Sequence, residues 1–394
     1  MSSTLSSPAS AASLRNTRAP VRPFAGLIDP VLVDAPCDFP FDGSVARDHA
    51  AAAWIWIGRD VAPDVIDFAR VKDGSLSADE IEPHLPQVLA RAHEIHEAAG
   101  ADFDSGRRLR AQLGGEEAFE RLPVVLNAVR NRALIEKAGI FGRALNGLAD
   151  EAAIATALQS MPLKDGAATA LLMHAAIGQV ANPAKLVTAA LKLSGSPAEA
   201  SIRRAGFTTL FDAMLAHAQN QLRSVQPNGA FPDIDLTCRA MERFHRLVRA
   251  VTGYVELERA GRWSHVLAAL TKKVSERVEP RLRAVSSDVV TALRSADRLD
   301  EDRLLSALNG MYLLATLRDC KDSLALNALF EQAWSQSGEA LELHLKRNLE
   351  LVRANRDDAL AAKRLETGIK MAELRFNADY AETLRRARAA ALKR

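Results

Sequence analysis

The densest group of side chains that could ligate a metal is the run HEIHE at residues 93–97. On a helix, His93, His96 and Glu97 could converge on one cation such as Zn²⁺ or iron. Zinc proteases use HExxH, because that spacing puts both imidazoles on one side of the helix, whereas these histidines are only three residues apart. The helical pattern also places His96 on the apolar face. We therefore predict an amphipathic helix with a polar edge and no metal, unless another helix supplies a ligand.

A second group is formed by Cys238, Glu242 and His245, which lie at i, i+4 and i+7 of one predicted helix. Glu242 and His245 match the E-x-x-H half-site of di-iron helical bundles. No second E-x-x-H occurs in the sequence to complete such a site. A Cys–His nucleophile pair is excluded within this helix, because a rise of about 1.5 Å per residue separates Cys238 from His245 by roughly 10 Å. A structural role for the three residues is expected.

The remaining motifs argue against the common enzyme classes. The run ADFDSG at 101–106 begins like a calcium loop, but Gly106 and Leu113 stand where oxygen ligands are required, so a turn with Ser105 as helix N-cap is expected. The sequence contains no GxGxxG, GxxxxGK[ST], GxSxG or kinase signature. We predict no catalytic residue and no cofactor.

Composition limits the partners. The chain has 51 basic and 49 acidic residues, so it lacks the charge excess of a dedicated nucleic-acid binder. The C-terminal run LRRARAAALKR has no aromatic residue that could stack on bases, and its charge suits the end of a helix. Three cysteines without a CxxC pair fit a reducing, cytoplasmic location. The uncharged stretch 166–184 is interrupted by polar residues and proline, which favours a buried helix over a transmembrane segment.

Apolar spacing predicts an all-α fold, a multi-helix array or bundle with shorter helices in the N-terminal half and longer antiparallel helices in the C-terminal half. Apolar residues surround the WIWI run at 54–57, so the first helix, 45–61, should be buried on more than one side. The strongest pattern is a heptad seam, which predicts a helix packed along a neighbour. The seam comprises Ile234, Thr237, Met241, Phe244, Val248, Val251 and Val255. The helix 234–255 is also a candidate surface for self-association.

Breaks in the pattern predict three regions. Residues 1–43 hold six of the sixteen prolines and form a disordered or extended arm. Residues 44–195 form an N-terminal helical domain, and residues 196–394 form a bundle of long helices. Within that bundle, single helices are predicted over 197–224 and 357–391.

These features favour a bacterial, cytoplasmic interaction or scaffold protein with a protein partner. One alternative is a secreted effector that binds an external target, because the leader is rich in serine and has no acidic residue before Asp29. The other is a metal-dependent helical enzyme that uses His93, His96 and Glu97, or Glu242 and His245.

Overall fold

The computed structural model describes residues 21–34, 38–161, 165–229, 232–294 and 298–393. These residues form two compact units, which interleave along the sequence. The first unit comprises 21–34 and 45–133, and the second comprises 38–44 and 134–393. The predicted domain limit at 195–196 falls inside the second unit. The predicted all-α fold is confirmed.

The first unit is a cluster of short helices with one small parallel strand pair, β1 (Leu32–Val33) and β2 (Val45–Ala46). Its helices are α1 (Arg47–Trp56), α2 (Phe68–Asp73), α3 (Ala78–Ile81), α4 (Leu85–Ala101), α5 (Phe103–Leu113) and α6 (Glu116–Arg130). A π-helical turn, Ile57–Val61, extends α1. A capping box starts α3, with Ser77 paired to Glu80.

Buried aromatic residues form the core of the first unit. Trp54 and Trp56 are each 1% exposed, which confirms the predicted burial of α1 on more than one side. The ring of Trp54 lies 4.7 Å from that of Phe24. The prediction of a disordered or extended arm is therefore wrong for residues 21–34, which fold into 3₁₀ turns and β1 around Phe24 and Ile28. The apolar residues of this stretch are irregularly spaced, so no helix or strand pattern in the sequence predicts that they are buried. Residues 1–20 and 35–37 lie outside the described part.

The second unit consists of helices and one docked segment, residues 38–44. Its shorter helices are α7 (Arg132–Leu145, which begins in the first unit), α8 (Glu151–Gln159), α9 (Gly166–Gln179), α10 (Pro183–Ser194), α11 (Glu199–Arg204) and α12 (Thr208–Gln221). Its C-terminal helices are α13 (Ile234–Thr252), α14 (Arg262–Leu293), α15 (Glu301–Cys320), α16 (Asn327–Ala354), α17 (Ala359–Arg375) and α18 (Ala378–Lys393). Short 3₁₀ turns, Leu222–Ser224 and Lys321–Ser323, follow α12 and α15.

The heptad seam is buried inside the second unit. Met241, Phe244 and Val251 are fully buried on α13. The adjacent stripe of α13 packs along α15, where His245 Nδ1 lies 2.9 Å from Ser323 Oγ just beyond the end of that helix. The seam prediction is thus confirmed as internal packing. Self-association through this helix stays a prediction.

Hydrogen bonds between the longest helices define the relative directions in which these helices run. The Ser275 hydroxyl accepts from the Ala325 N–H at 3.2 Å, and Asn348 Nδ2 donates to the Leu293 carbonyl at 2.9 Å. The earlier residue of α14 contacts a residue just before α16, and the last residue of α14 contacts a residue near the end of α16. The two helices therefore run parallel. By contrast, Arg375 Nε donates to the Trp334 carbonyl at 2.9 Å, at the opposite ends of α17 and α16, which are antiparallel.

Two predicted single helices are wrong, because each is divided in the structure. The helix predicted over 197–224 is interrupted between α11 and α12 at Gly206, whose φ of +84° is incompatible with a right-handed helix. The helix predicted over 357–391 breaks between α17 and α18 at Phe376, whose ψ is −84°. The expected Ser105 cap is also wrong, because Asp102 caps α5 and accepts from the Ser105 N–H at 2.8 Å.

The uncharged stretch 166–184 forms the fourteen-residue helix α9 and the start of α10. Nine successive residues of α9, from Thr169 to Ile177, are buried within the second unit. None of the helices in the described ranges has the length and apolar character needed to cross a membrane.

Two glycines on α7 provide a matched test of this packing. A Cβ on Gly142 would lie 2.2 Å from the Ala176 carbonyl oxygen, whereas a Cβ on Gly139 would meet nothing nearer than 3.9 Å. We expect Gly142→Ala to lower the free energy of unfolding by about 1–3 kcal/mol, because α9 must move away. Gly139→Ala should raise it by about 0.5–1 kcal/mol through helix propensity. Urea unfolding of both variants measures this difference, and equal effects would contradict the close approach of α7 and α9.

Candidate functional site

An irregular segment of the chain, Asp38–Ser44, lies in a groove of the second unit formed by α12 and α14. The carboxamide of Gln219 pairs with the main chain of Phe39 in both directions. Its Oε1 accepts from the Phe39 N–H at 3.0 Å, and its Nε2 donates to the Phe39 carbonyl at 3.0 Å. Gln219 is itself 6% exposed. A buried side chain thus supplies the pair of bonds that a neighbouring β-strand would supply.

Aromatic side chains of the segment supply its apolar contacts. Phe41 is 5% exposed and belongs to the core of the second unit. The guanidinium carbon of Arg262 lies 5.0 Å from the centre of its ring. The ring of Phe39 meets the imidazole of His265 edge-on, with 5.9 Å between the ring centres. The two phenylalanines therefore anchor the segment on either side of Pro40.

Two basic residues of α14 hold the polar groups of the same segment. Arg262 donates to the Pro40 carbonyl at 2.7 Å, and Lys273 forms an ion pair with Asp38. Eleven residues separate Arg262 from Lys273, which is about three helical turns and places both on one side of α14. The groove is therefore lined by positive charge where the segment is acidic.

A turn at Phe41–Ser44 closes the docked segment. The Ser44 N–H donates to the Phe41 carbonyl at 3.2 Å, and the Ser44 hydroxyl donates to the same oxygen at 2.7 Å. Gly43 has φ of +83°, and a Cβ at this position would lie 2.2 Å from the Ala170 carbonyl oxygen. Only glycine satisfies both the left-handed backbone and the close approach to α9.

A buried carboxylate lies next to the segment. Asp212 is 5% exposed, and burial raises its pKa above the usual range. Trp263 Nε1 donates to Asp212 Oδ1 at 2.8 Å, and Arg262 Nη1 lies 3.4 Å from Oδ2. Because Arg262 also binds the Pro40 carbonyl, Asp212 orients the arginine that contacts the segment.

A second buried carboxylate extends this polar network. Glu199, 1% exposed, forms an ion pair with Arg203 one turn along α11 and accepts from the Glu258 N–H at 3.1 Å. Arg203 also lies over Trp263, 5.9 Å from its ring centre. The network fixes the loop before α14 and, through Trp263, the start of the groove.

This arrangement holds the chain's own segment, Asp38–Ser44, through main-chain and side-chain contacts. Buried carboxylates with perturbed pKa values often mark catalytic sites. Here each oxygen of Asp212 faces a donor, and the donors in turn hold the docked segment. Main-chain pairing combined with side-chain anchors also occurs where proteins bind peptide segments.

The HEIHE run divides as the sequence predicts. His93 and Glu97 are exposed and lie 3.2 Å apart along α4. His96 is half-buried, its ring centre 5.0 Å from that of Phe119, and burial lowers its pKa. No group of three His, Cys, Asp or Glu side chains suited to a metal exists among the residues that the structure describes.

The Cys238, Glu242 and His245 stripe faces α15 and the turn that follows it. Cys238 hydrogen-bonds Thr316, and burial raises the pKa of its thiol. His245 Nδ1 lies 2.9 Å from the hydroxyl of Ser323, which is buried. Burial also raises the pKa of Cys320 to about 12, which opposes thiolate chemistry. These residues connect two helices.

A pair of histidines that sequence reasoning missed lies between α9 and α12. The rings of His174 and His217 stack with 4.3 Å between their centres. His217 Nε2 donates to the His174 carbonyl at 2.8 Å, while His174 Nδ1 is buried without a hydrogen-bond partner. Burial lowers the pKa of His217 to about 4 and that of His174 well below its usual value. Both imidazoles are therefore neutral at pH 7.

The docked segment was also missed as a site. Residues 39–43 lie within the predicted arm, and Asp212, Gln219, Arg262 and Lys273 have no distinctive spacing in the sequence. The available signal was two phenylalanines flanking a proline next to an Asp-Gly turn, which is unusual in a disordered arm.

The histidine pair makes stability depend on pH. Between about pH 6.5 and pH 4 the unfolded chain binds protons that folded His217 does not, so stability falls as the pH falls through this window. Its slope is at most about 1.4 kcal/mol per pH unit for this residue. Urea unfolding at pH 7, 6 and 5 should show a weaker dependence for His217→Gln than for wild type. The exposed substitution His84→Gln is the control, and identical slopes for wild type and His217→Gln would contradict the assignment.

The Gln219 contact has its own energetic test. Gln219→Leu leaves the Phe39 N–H and carbonyl without partners, which should lower the free energy of unfolding by about 1–3 kcal/mol. Gln221→Leu is the matched control, because Gln221 bonds only the His217 carbonyl on its own helix. Urea unfolding that gives the same small change for both variants would contradict the role of Gln219.

Comparison of the chain with protein-family models, curated protein sequences and solved structures finds no match in any of the three.

Proposed function

We propose that the chain is a helical interaction protein, a scaffold, whose second unit binds peptide segments. One observation carries the proposal, namely the pairing of the Gln219 carboxamide with both main-chain groups of Phe39. A side-chain amide that pairs with main-chain groups suits a peptide ligand, because every residue other than proline offers the same N–H and carbonyl groups. Phe41 and Arg262 then supply the side-chain selectivity.

The distribution of polar groups supports binding as the activity. Asp212 and Glu199 are the buried carboxylates of the site, and each is hydrogen-bonded or ion-paired to groups that shape the groove. Because these carboxylates are buried and paired, they hold Arg262 and Trp263 in a defined geometry.

The thiols support a cytoplasmic location as part of the same proposal. Cys238 and Cys320 are free thiols on the facing helices α13 and α15. Free thiols in the interior of a protein are typical of a reducing compartment.

Capture of partners from the cells that make the protein tests the proposed function. Tagged full-length wild type should retain at least one partner in fixed stoichiometry, identified by mass spectrometry. Gln219→Ala should lose that partner because the groove loses its main-chain contact, whereas Gln221→Ala should keep it. Wild type without a partner, or a partner set that is the same for all three forms, would contradict the proposal.

A further inference from the structure

The segment Asp38–Ser44 is connected to the chain in the manner of a tethered ligand. The described residues before it, 21–34, and those after it, from Val45 onward, belong to the first unit. Its own contacts are with the second unit, through Gln219, Arg262 and Lys273. The groove and the segment therefore correspond to a binding site and its ligand within one polypeptide.

The contacts define which peptide the groove accepts. Position 39 must have both main-chain groups free to pair with Gln219. Position 41 must be aromatic, because its ring fills the core beneath Arg262. The residue before the first aromatic must be acidic to pair with Lys273, and a glycine must follow two residues after the second aromatic.

We propose that the groove is a peptide-recognition site for an acidic aromatic-Pro-aromatic segment of a partner protein, which displaces the chain's own residues 38–44. The inference rests on the proposed function and names its ligand class. Charge complementarity favours this occupant, since Lys273 and Arg262 face Asp38 and the Pro40 carbonyl. The own segment holds the groove until such a partner competes for it.

Tethering sets the strength of that competition. Because the segment and the groove belong to one chain, binding of the own segment is intramolecular, so it competes with any free peptide at a fixed effective concentration. A free peptide of the same sequence must therefore bind wild type weakly. It must bind more tightly when the chain's own segment is weakened and the groove is unchanged.

Fluorescence anisotropy with a labelled peptide tests the proposal. The peptide DFPFDGSVA has the sequence of residues 38–46. The proteins are full-length wild type, Asp38→Lys and Phe41→Ala. Asp38→Lys places two lysines together at an exposed site, and Phe41→Ala removes the aromatic anchor. We expect the peptide to bind both variants at least about ten-fold more tightly than wild type, because cis competition is reduced.

Two controls separate groove binding from general adhesion. Adding Gln219→Ala to Asp38→Lys should abolish binding, because it removes both main-chain contacts. A peptide N-methylated at the position of Phe39 should also bind about ten-fold less tightly, since it lacks the donor to Gln219 Oε1. Circular dichroism confirms that each variant is folded.

The outcomes are decisive in each direction. If neither folded variant binds the peptide more tightly than wild type, or if binding survives Gln219→Ala, the proposal is overturned. If the peptide fails to bind while capture finds partners that depend on Gln219, the proposed function stands and the ligand class is wrong. If the peptide binds and no partner is captured, the site stands and the proposed function fails.

Discussion

The packing of the second unit depends on one constraint. Two buried polar side chains on one helix must each find a hydrogen-bond partner in the protein. Asp212 and Gln219 are seven residues apart on α12, so they lie on the same face two turns from each other. Every residue from Leu210 to Ala216 is buried, so water cannot satisfy them. Trp263 and Arg262 on α14 satisfy the first, and the main chain of Phe39 satisfies the second.

This constraint links packing to recognition. Because Asp212 orients Arg262, the same arginine reaches the Pro40 carbonyl and covers the Phe41 ring. Because Gln219 offers both a donor and an acceptor, it pairs with both main-chain groups of one residue. The glycine at position 43 lets the chain turn against α9 where any larger residue would meet Ala170. Each part is ordinary helix packing, and their combination is a groove with a defined ligand.

Helical periodicity predicted most of the fold. The seam on α13 and the burial of the WIWI run follow from spacing alone, because a helix displays its buried face every three or four residues. The helix breaks at Gly206 and Phe376 do not follow from spacing, because they depend on local backbone angles. The candidate site could not be predicted from the sequence, for a different reason. Phe39 and Gln219 are 180 residues apart, and nothing in either local sequence indicates that a carboxamide and a main chain will pair.

Hydrogen exchange at the Phe39 amide tests the central claim most directly. Selective ¹⁵N-phenylalanine labelling would allow this N–H to be followed by NMR in the full-length protein. The claim predicts slow exchange in wild type and near-unprotected exchange in Gln219→Leu, with the amides of buried Phe211 and Phe244 protected in both. Rapid exchange of the Phe39 amide in wild type, or slow exchange that persists without Gln219, would contradict it.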